Sequence, residues 1–269
     1  MRKRKRKIGL ALGSGTARGL AHIGVLEVLE EEGIPIDIIT GTSIGAVISA
    51  LYAQGKDASV IKKLVSRLSR RQLASLVDLA LPRTGLIQGE KIKSLLESVI
   101  GGDIEFSTLR IPFACVATDI RTSEEVVISH GSLLEALRAS FSVPAVFTLV
   151  KWEGRYVVDG GLVNPVPVSV ARQMGADFVI AVNVLPDIRH GSQWADATKG
   201  PGIINIIIQS LYISTHSAVR SSLEGADIVI EPQVADIDPL DFFQAEKCIS
   251  QGKLATQDAI PEIRKRIHD

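Results

Sequence analysis

Three short stretches carry residue types able to do covalent chemistry. The first is Gly41-Thr42-Ser43-Ile44-Gly45, a G-x-S-x-G sequence between the apolar run 36–40 and the helix-forming run 44–54. In a strand-turn-helix setting the serine sits on a tight, strained turn, and Gly41 and Gly45 leave the room that the helix needs to pass the strand. Ser43 is therefore the candidate nucleophile. It also opens a helix, whose free N–H groups and positive dipole end favour a developing negative charge. An ordinary turn with serine as N-cap is the alternative, and the pentapeptide alone does not separate the two.

The second stretch is Asp159-Gly160-Gly161, a carboxylate at the end of the apolar strand pattern 155–159, followed by two glycines that let the chain turn sharply. Strand ends of this kind are where α/β sheets keep their chemistry; a turn-forming aspartate is the plainer reading. The third is Gly13-Ser14-Gly15-Thr16-Ala17-Arg18-Gly19, directly after the apolar run 7–12. A dinucleotide loop comes to mind, because Gly13-x-Gly15 follows a strand and Asp37 stands about 20 residues on. Arg18, however, occupies the place of the small third residue, which argues against a nucleotide cofactor. An oxyanion hole fits better: backbone N–H groups of Gly13, Ser14, Gly15 and Thr16 at a helix start would hold an oxygen that becomes negative. Arg18 either reinforces that positive end or forms a surface salt bridge.

A serine nucleophile needs a base. The five histidines, His22, His130, His190, His216 and His268, do not fall where a hydrolase triad wants one. An α/β-hydrolase takes an oxyanion donor from the loop after its third strand and its histidine after the acid, whereas Ser43 follows only the second strand. Asp159 becomes the candidate base. With an ordinary pKa near ~3.9 it is a weak one, so it must reach Ser43 and be partly desolvated.

These residues need a scaffold to hold them. Residues 7–12 read as a buried strand, 18–32 as a helix with Gly33 as its C-cap, and 36–40 as a second strand, which together make a right-handed crossover. Residues 57–81 alternate apolar and basic positions, including Lys62, Lys63, Arg67, Arg70 and Arg71; their basic face is either solvated or set near phosphate head groups. A short extended piece at 85–89, a helix at 90–100, strands at 113–119 and 125–129, and a helix at 133–140 follow. Further on come a helix at 166–174, a strand at 178–184, a polar loop at 186–201 that suits a lid, and a very apolar helix at 203–223. That helix reads as a buried sheet cover or as an acyl-binding wall. A last strand at 228–230 and terminal helices at 243–268 complete the chain.

Composition sets outer limits. With 269 residues, 46% hydrophobic and 22% charged, the chain can bury a large core in one large or two small domains. A net charge of +0 gives the whole molecule no reason to seek nucleic acid. Cys115 and Cys248 are too few for a disulfide scaffold and read as packing residues. The basic stretch Arg2 to Lys7 precedes an apolar run too short for a signal peptide, and no run suits a membrane-spanning helix. The expected setting is cytoplasmic. The basic tail leaves a peripheral contact with anionic lipid open.

The three motifs, in this order and spacing, resemble the signatures of the patatin-like phospholipases, the bacterial stand-alone type above all. Arg138-Ala139-Ser140-Phe141-Ser142-Val143-Pro144 and Asn164-Pro165-Val166-Pro167 resemble that family's connecting segments. The resemblance implies a three-layer α/β/α sandwich with a mostly parallel central sheet. The domain would occupy 7–232, behind a basic tail at 1–6, with 233–269 as a helical extension of the same domain. It also implies a Ser43–Asp159 dyad, the first loop as oxyanion hole, no metal and no cofactor, and hydrolysis of a lipid or other acyl ester. Acyl transfer by the same serine, and a weakly active regulatory protein, are the rival readings. Ser14 and Thr16 stand where the family more often has glycine.

Overall fold

In the computed structural model, which describes residues 6–67, 78, 85–185 and 202–268, the strand Ile8–Leu12 (β1) is buried at every residue. Five consecutive apolar residues are stable there because both faces of the strand are covered. The same holds for Ile38–Thr42 (β2), Phe113–Asp119 (β4) and Phe178–Val182 (β9). With Glu125–Ile128 (β5), Val150–Trp152 (β7), Arg155–Asp159 (β8) and Ile228–Ile230 (β10) they form an eight-stranded sheet in the order β10-β9-β1-β2-β4-β8-β7, with β5 also on β4. Gly85–Ile87 (β3) and Ala145–Phe147 (β6) pair separately. The five strands from β10 to β4 are parallel, β5 and β8 run against them, and β7, antiparallel to β8, runs with them.

Alternation along the strands sorts the core into two faces. Leu10, Leu12, Ile39, Cys115 and Ile180 lie on one side, with Ala21–Glu31 (α1), Ile44–Ala53 (α2), Ala58–Ser66 (α3), Glu90–Ile100 (α4) and Leu133–Ser140 (α5). Ala11, Val179 and Ala181 face the other side, toward Val168–Gln173 (α6). The result is the three-layer α/β/α sandwich. Both cysteines are free and buried.

Several expectations shift. The helix expected over 18–32 is a 3-10 turn, Thr16–Leu20, followed by α1, because Arg18 N turns back to Gly15 O at 3.1 Å. The helix expected over 203–223 is two, Ile203–Ser214 (α7) and His216–Ser222 (α8). They part at Thr215, whose hydroxyl bonds back to Leu211 O at 2.8 Å. Nor is it a buried sheet cover: in α7 only Ile208 is buried, while Ile203 is 68% and Ile213 56% exposed. The terminal helices are one, Ala245–His268 (α9), with Pro261 inside it. The first five tail residues, Arg70, Arg71, the side chain of His268 and the 186–201 lid with His190 lie outside the described residues. No helix among the described residues is long and apolar enough to cross a membrane.

Helix α9 joins the same core as the sheet, through Cys248, Ile249, Ile260 and Ile263. It crosses α1 at backbone contact. A Cβ on Gly24 would lie 2.0 Å from Ile249 O, and one on Gly252 would lie 2.0 Å from Ala21 O. Gly24→Ala is therefore expected to cost about 1–3 kcal/mol of stability by forcing the helices apart, while Gly202→Ala, at an open site, is expected to be neutral. Chemical denaturation of the two variants checks this, and equal midpoints would refute it.

Candidate active site

Ser43 sits between β2 and α2 with φ 57 and ψ −123, a strained backbone for a residue with a side chain. Surrounding contacts enforce it. Ser43 N donates to Ser140 Oγ at 3.0 Å, and that hydroxyl donates onward to Val116 O at 2.7 Å. Gly45 makes the elbow fit: a Cβ there would lie 2.2 Å from Leu12 O and 2.5 Å from Gly13 O. A Cβ on Gly41 would lie 2.5 Å from Gly45 O. The start of α2 is thus pressed against the end of β1 and the first loop.

Sheet register brings the acid to the same level. Thr42 pairs with Val116, and the next residue of β4, Ala117, pairs with Asp159. Ser43 and Asp159 therefore stand on one rung, on either side of β4. Asp159 ends its strand, Arg155–Asp159, as the sequence reading had it. Strand β8 returns antiparallel from the hairpin with β7 and delivers its last residue to the mouth of the sheet. Asp159 N donates to Ser142 O at 2.9 Å, and Thr118 Oγ1 donates to Asp159 O at 2.9 Å.

The Asp159 carboxylate is 7% exposed. Burial pushes its pKa up to about 6, against the pull of hydrogen bonds from the Ser43 hydroxyl and the Gly161 amide. The Gly161 bond is short, 2.7 Å to Oδ1. Gly160 opens the 3-10 turn Gly160–Leu162 that turns the Gly161 amide back on the carboxylate.

The first loop is not uniformly available as a donor. Gly13 N donates to Val182 O at 3.0 Å and Ser14 N to Pro165 O at 2.9 Å. Those two amides are occupied, and Ser14 instead sets its hydroxyl beside Gly161 and Asp159. Gly15 N and Thr16 N have no partner among the described residues. Arg18 is neither a surface residue nor turned to the oxyanion position: it is 2% exposed, and its Nε and Nη2 donate to Ile237 O and Ala235 O at 2.8 and 3.1 Å. It clamps the loop from behind.

His22 is a supporting residue that sequence reasoning missed. Fully buried, with its pKa lowered by desolvation to about 4, it is neutral at pH 7 and holds Gly13 O at 2.7 Å from Nε2. The acceptor there requires the proton on Nε2. His130 pairs with Glu153 at the surface. No histidine lines the pocket among the described residues, and no cluster of metal-ligating side chains occurs among them.

Ser14, Gly15, Thr16, Ser43, Asp159 and Gly161 form the floor of an open cleft. Its walls are apolar: Val143, Pro144 and Leu162 on one side, Ile208 and Leu211 of α7 on the other, with Tyr212 and Thr215. Apolar periodicity pointed to α7, but Tyr212 carried no sequence signal of its own, and Ser140 and Arg138 were read only as parts of a connecting segment. Arg138 is 3% exposed and bonds Ser142 Oγ, Gln88 O and Thr148 O.

Comparison with known proteins shows the family. The family model for patatin-like phospholipases matches residues 10–172, which contain all three motifs. An uncharacterised NTE family protein of Mycobacterium tuberculosis is 35% identical over 178 residues, covering 66% of this chain and 49% of the relative. The chain thus spans about half the length of that relative. A lysophospholipase, NTE1, of Saccharomyces cerevisiae is 30% identical over 268 residues, covering 91% of this chain and 16% of the yeast protein. The crystal structure of VipD from Legionella pneumophila superposes with a TM-score of 0.56 at 14% identity, over 96% of this chain and 67% of that one, a likeness of fold. The chain belongs to the patatin-like phospholipase family.

Proposed function

We propose that this protein hydrolyses fatty-acyl esters of the phospholipid or lysophospholipid kind, with Ser43 as nucleophile and Asp159 as base. One observation carries the reading: a hydroxyl on a strained elbow faces a buried carboxylate, beside two unspent amides, at the floor of a cleft with apolar walls. The lysophospholipase name of the yeast relative points the same way.

As Ser43 Oγ attacks the ester carbonyl, Asp159 takes its proton, and the carbonyl oxygen becomes an oxyanion received by Gly15 N–H and Thr16 N–H. Collapse breaks the ester C–O bond, the alcohol leaves with the proton from Asp159, and the acyl group stays on Ser43. Water, deprotonated by Asp159, then attacks the acyl-serine and releases the fatty acid. A carboxyl with a pKa of about 6 is a stronger base than an ordinary aspartate and is still largely ionised at pH 7. The apolar walls suit the acyl chain. Product analysis with added alcohol separates hydrolysis from acyl transfer.

Ser43→Ala and Asp159→Asn are each expected to lower hydrolysis of p-nitrophenyl butyrate by on the order of a thousandfold or more in a folded protein; either variant keeping wild-type turnover would end the proposal. The wild-type kcat/KM should rise with pH through an acid limb near 6, where Asp159 ionises. A flat profile between pH 5 and 7 would contradict Asp159 as the base.

Stability should move the other way. Because the folded-state value, about 6, lies above the ordinary 3.8, Asp159 favours the fold at low pH. That support is lost as pH rises through 6, to the extent of about 3 kcal/mol. Asp159→Asn is therefore expected to melt above wild type at pH 8, an advantage that shrinks toward pH 4. A variant less stable than wild type at pH 8 would show that ionising this group costs the fold nothing.

A further inference from the structure

Helix α7 carries Tyr212 over the first loop. The tyrosine hydroxyl lies 3.0 Å from Thr16 Oγ1, and Thr16 Oγ1 donates to Gly15 O at 2.7 Å. A threonine hydroxyl has one hydrogen, so Tyr212 is the donor in the first contact. The Arg18 guanidinium lies 5.9 Å from the centroid of the tyrosine ring on its face. Desolvation pushes the phenol pKa up to about 12, so it keeps its proton at any working pH.

Thr16 is held at φ 50. A β-branched residue enters that region only against strain, and the surroundings must impose it. Glycine would sit there relaxed, but glycine has no hydroxyl. Thr16 is the side chain that ties Tyr212 to the Gly15 carbonyl, and this gives a physical role to the residue that departs from a plain glycine loop.

The carbonyl matters because Gly15 O and Thr16 N–H belong to one trans peptide unit and point in opposite directions. Gly15 O accepts from Arg18 N at 3.1 Å as well as from Thr16 Oγ1. Fixing that oxygen fixes the direction of the Thr16 N–H, which has no partner among the described residues and belongs to the cleft floor.

We propose that Tyr212 is a positioning residue for the oxyanion hole: through Thr16 Oγ1 its hydroxyl locks the Gly15–Thr16 peptide and keeps the Thr16 N–H aimed at the oxygen that becomes negative. This rests on the Ser43 hydrolase reading above. Helix α7 also gives Ile208 and Leu211 to the apolar wall, so the seat of the acyl chain and the aim of the donor depend on one element.

The test is steady-state hydrolysis of p-nitrophenyl butyrate by the full chain, with kcat and KM resolved and a thermal melt for each variant. Tyr212→Phe and Thr16→Ala are each expected to lower kcat about fivefold to tenfold with KM unchanged. Combining them should be no worse than the slower single variant, because both break one chain of hydrogen bonds. Thr16→Ser, which keeps the hydroxyl, should recover most of the kcat lost in Thr16→Ala. If Thr16→Ala does not fold, Thr16→Gly, which suits the backbone at φ 50, takes its place. Full kcat in Tyr212→Phe, losses that multiply in the double variant, or a change confined to KM would overturn the proposal. Ser43→Ala in the same assay separates the two ideas. If it is silent while Tyr212→Phe is fully active, only the role of Tyr212 falls. If Ser43→Ala retains the activity, the hydrolase reading falls and takes this role with it.

Discussion

A carboxylate enclosed in protein, with no basic side chain acting on it among the described residues, is the constraint around which this molecule is arranged. Asp159 is kept from ordinary solvation, which raises its basicity and makes its charged form a burden on the fold. The Gly161 amide on Oδ1 offsets part of this burden, while Thr118 Oγ1 on its carbonyl and Ser142 O on its N–H fix the backbone that carries the carboxylate. Stability given up at this residue is thus tied to the property that would make it a base.

The register of β4 turns that residue into half of a pair. With Thr42 opposite Val116 and Asp159 opposite Ala117, the position of Ser43 relative to the acid is set by sheet hydrogen bonds rather than by loop conformation, which favours precision at a functional site. The end of α5 serves both partners. Ser140 accepts from the elbow N–H, and two residues later Ser142 O accepts from the Asp159 N–H, so one segment holds both Ser43 and Asp159. The first loop is tied down from another direction, since Ala17 N donates to Pro239 O at 2.9 Å and Arg18 donates to Ile237 O and Ala235 O. The segment after residue 232, which the sequence reading set apart as an extension, therefore supports the loop next to the elbow.

Much of this was legible in the residues. The strand Phe113–Asp119 and the helices Glu90–Ile100 and Leu133–Ser140 fall where periodicity placed them, because there local pattern and tertiary demand agree. The glycines of the elbow signalled a close approach that the packing of Gly45 on Leu12 and Gly13 explains. What failed depended on distant partners. The sequence reading gave β8 no direction, which is set by its pairing with β4 and β7. Arg18 was read as an oxyanion-loop cation or a surface ion pair because its acceptors, Ile237 O and Ala235 O, lie more than two hundred residues away in sequence. Of the two readings of the helix at 203, the buried sheet cover failed: the helix lines a cleft and leaves much of its apolar surface uncovered.

The central claim is spatial: the hydroxyl of Ser43 and the amides of Gly15 and Thr16 address the two ends of one reacting bond. A crystal structure of the protein after reaction with a fluorophosphonate ester tests it most directly. The account expects phosphorus bonded to Ser43 Oγ, with the phosphoryl oxygen about 3 Å from both amide nitrogens. An adduct on another residue, or a phosphoryl oxygen turned away from the first loop, would contradict it.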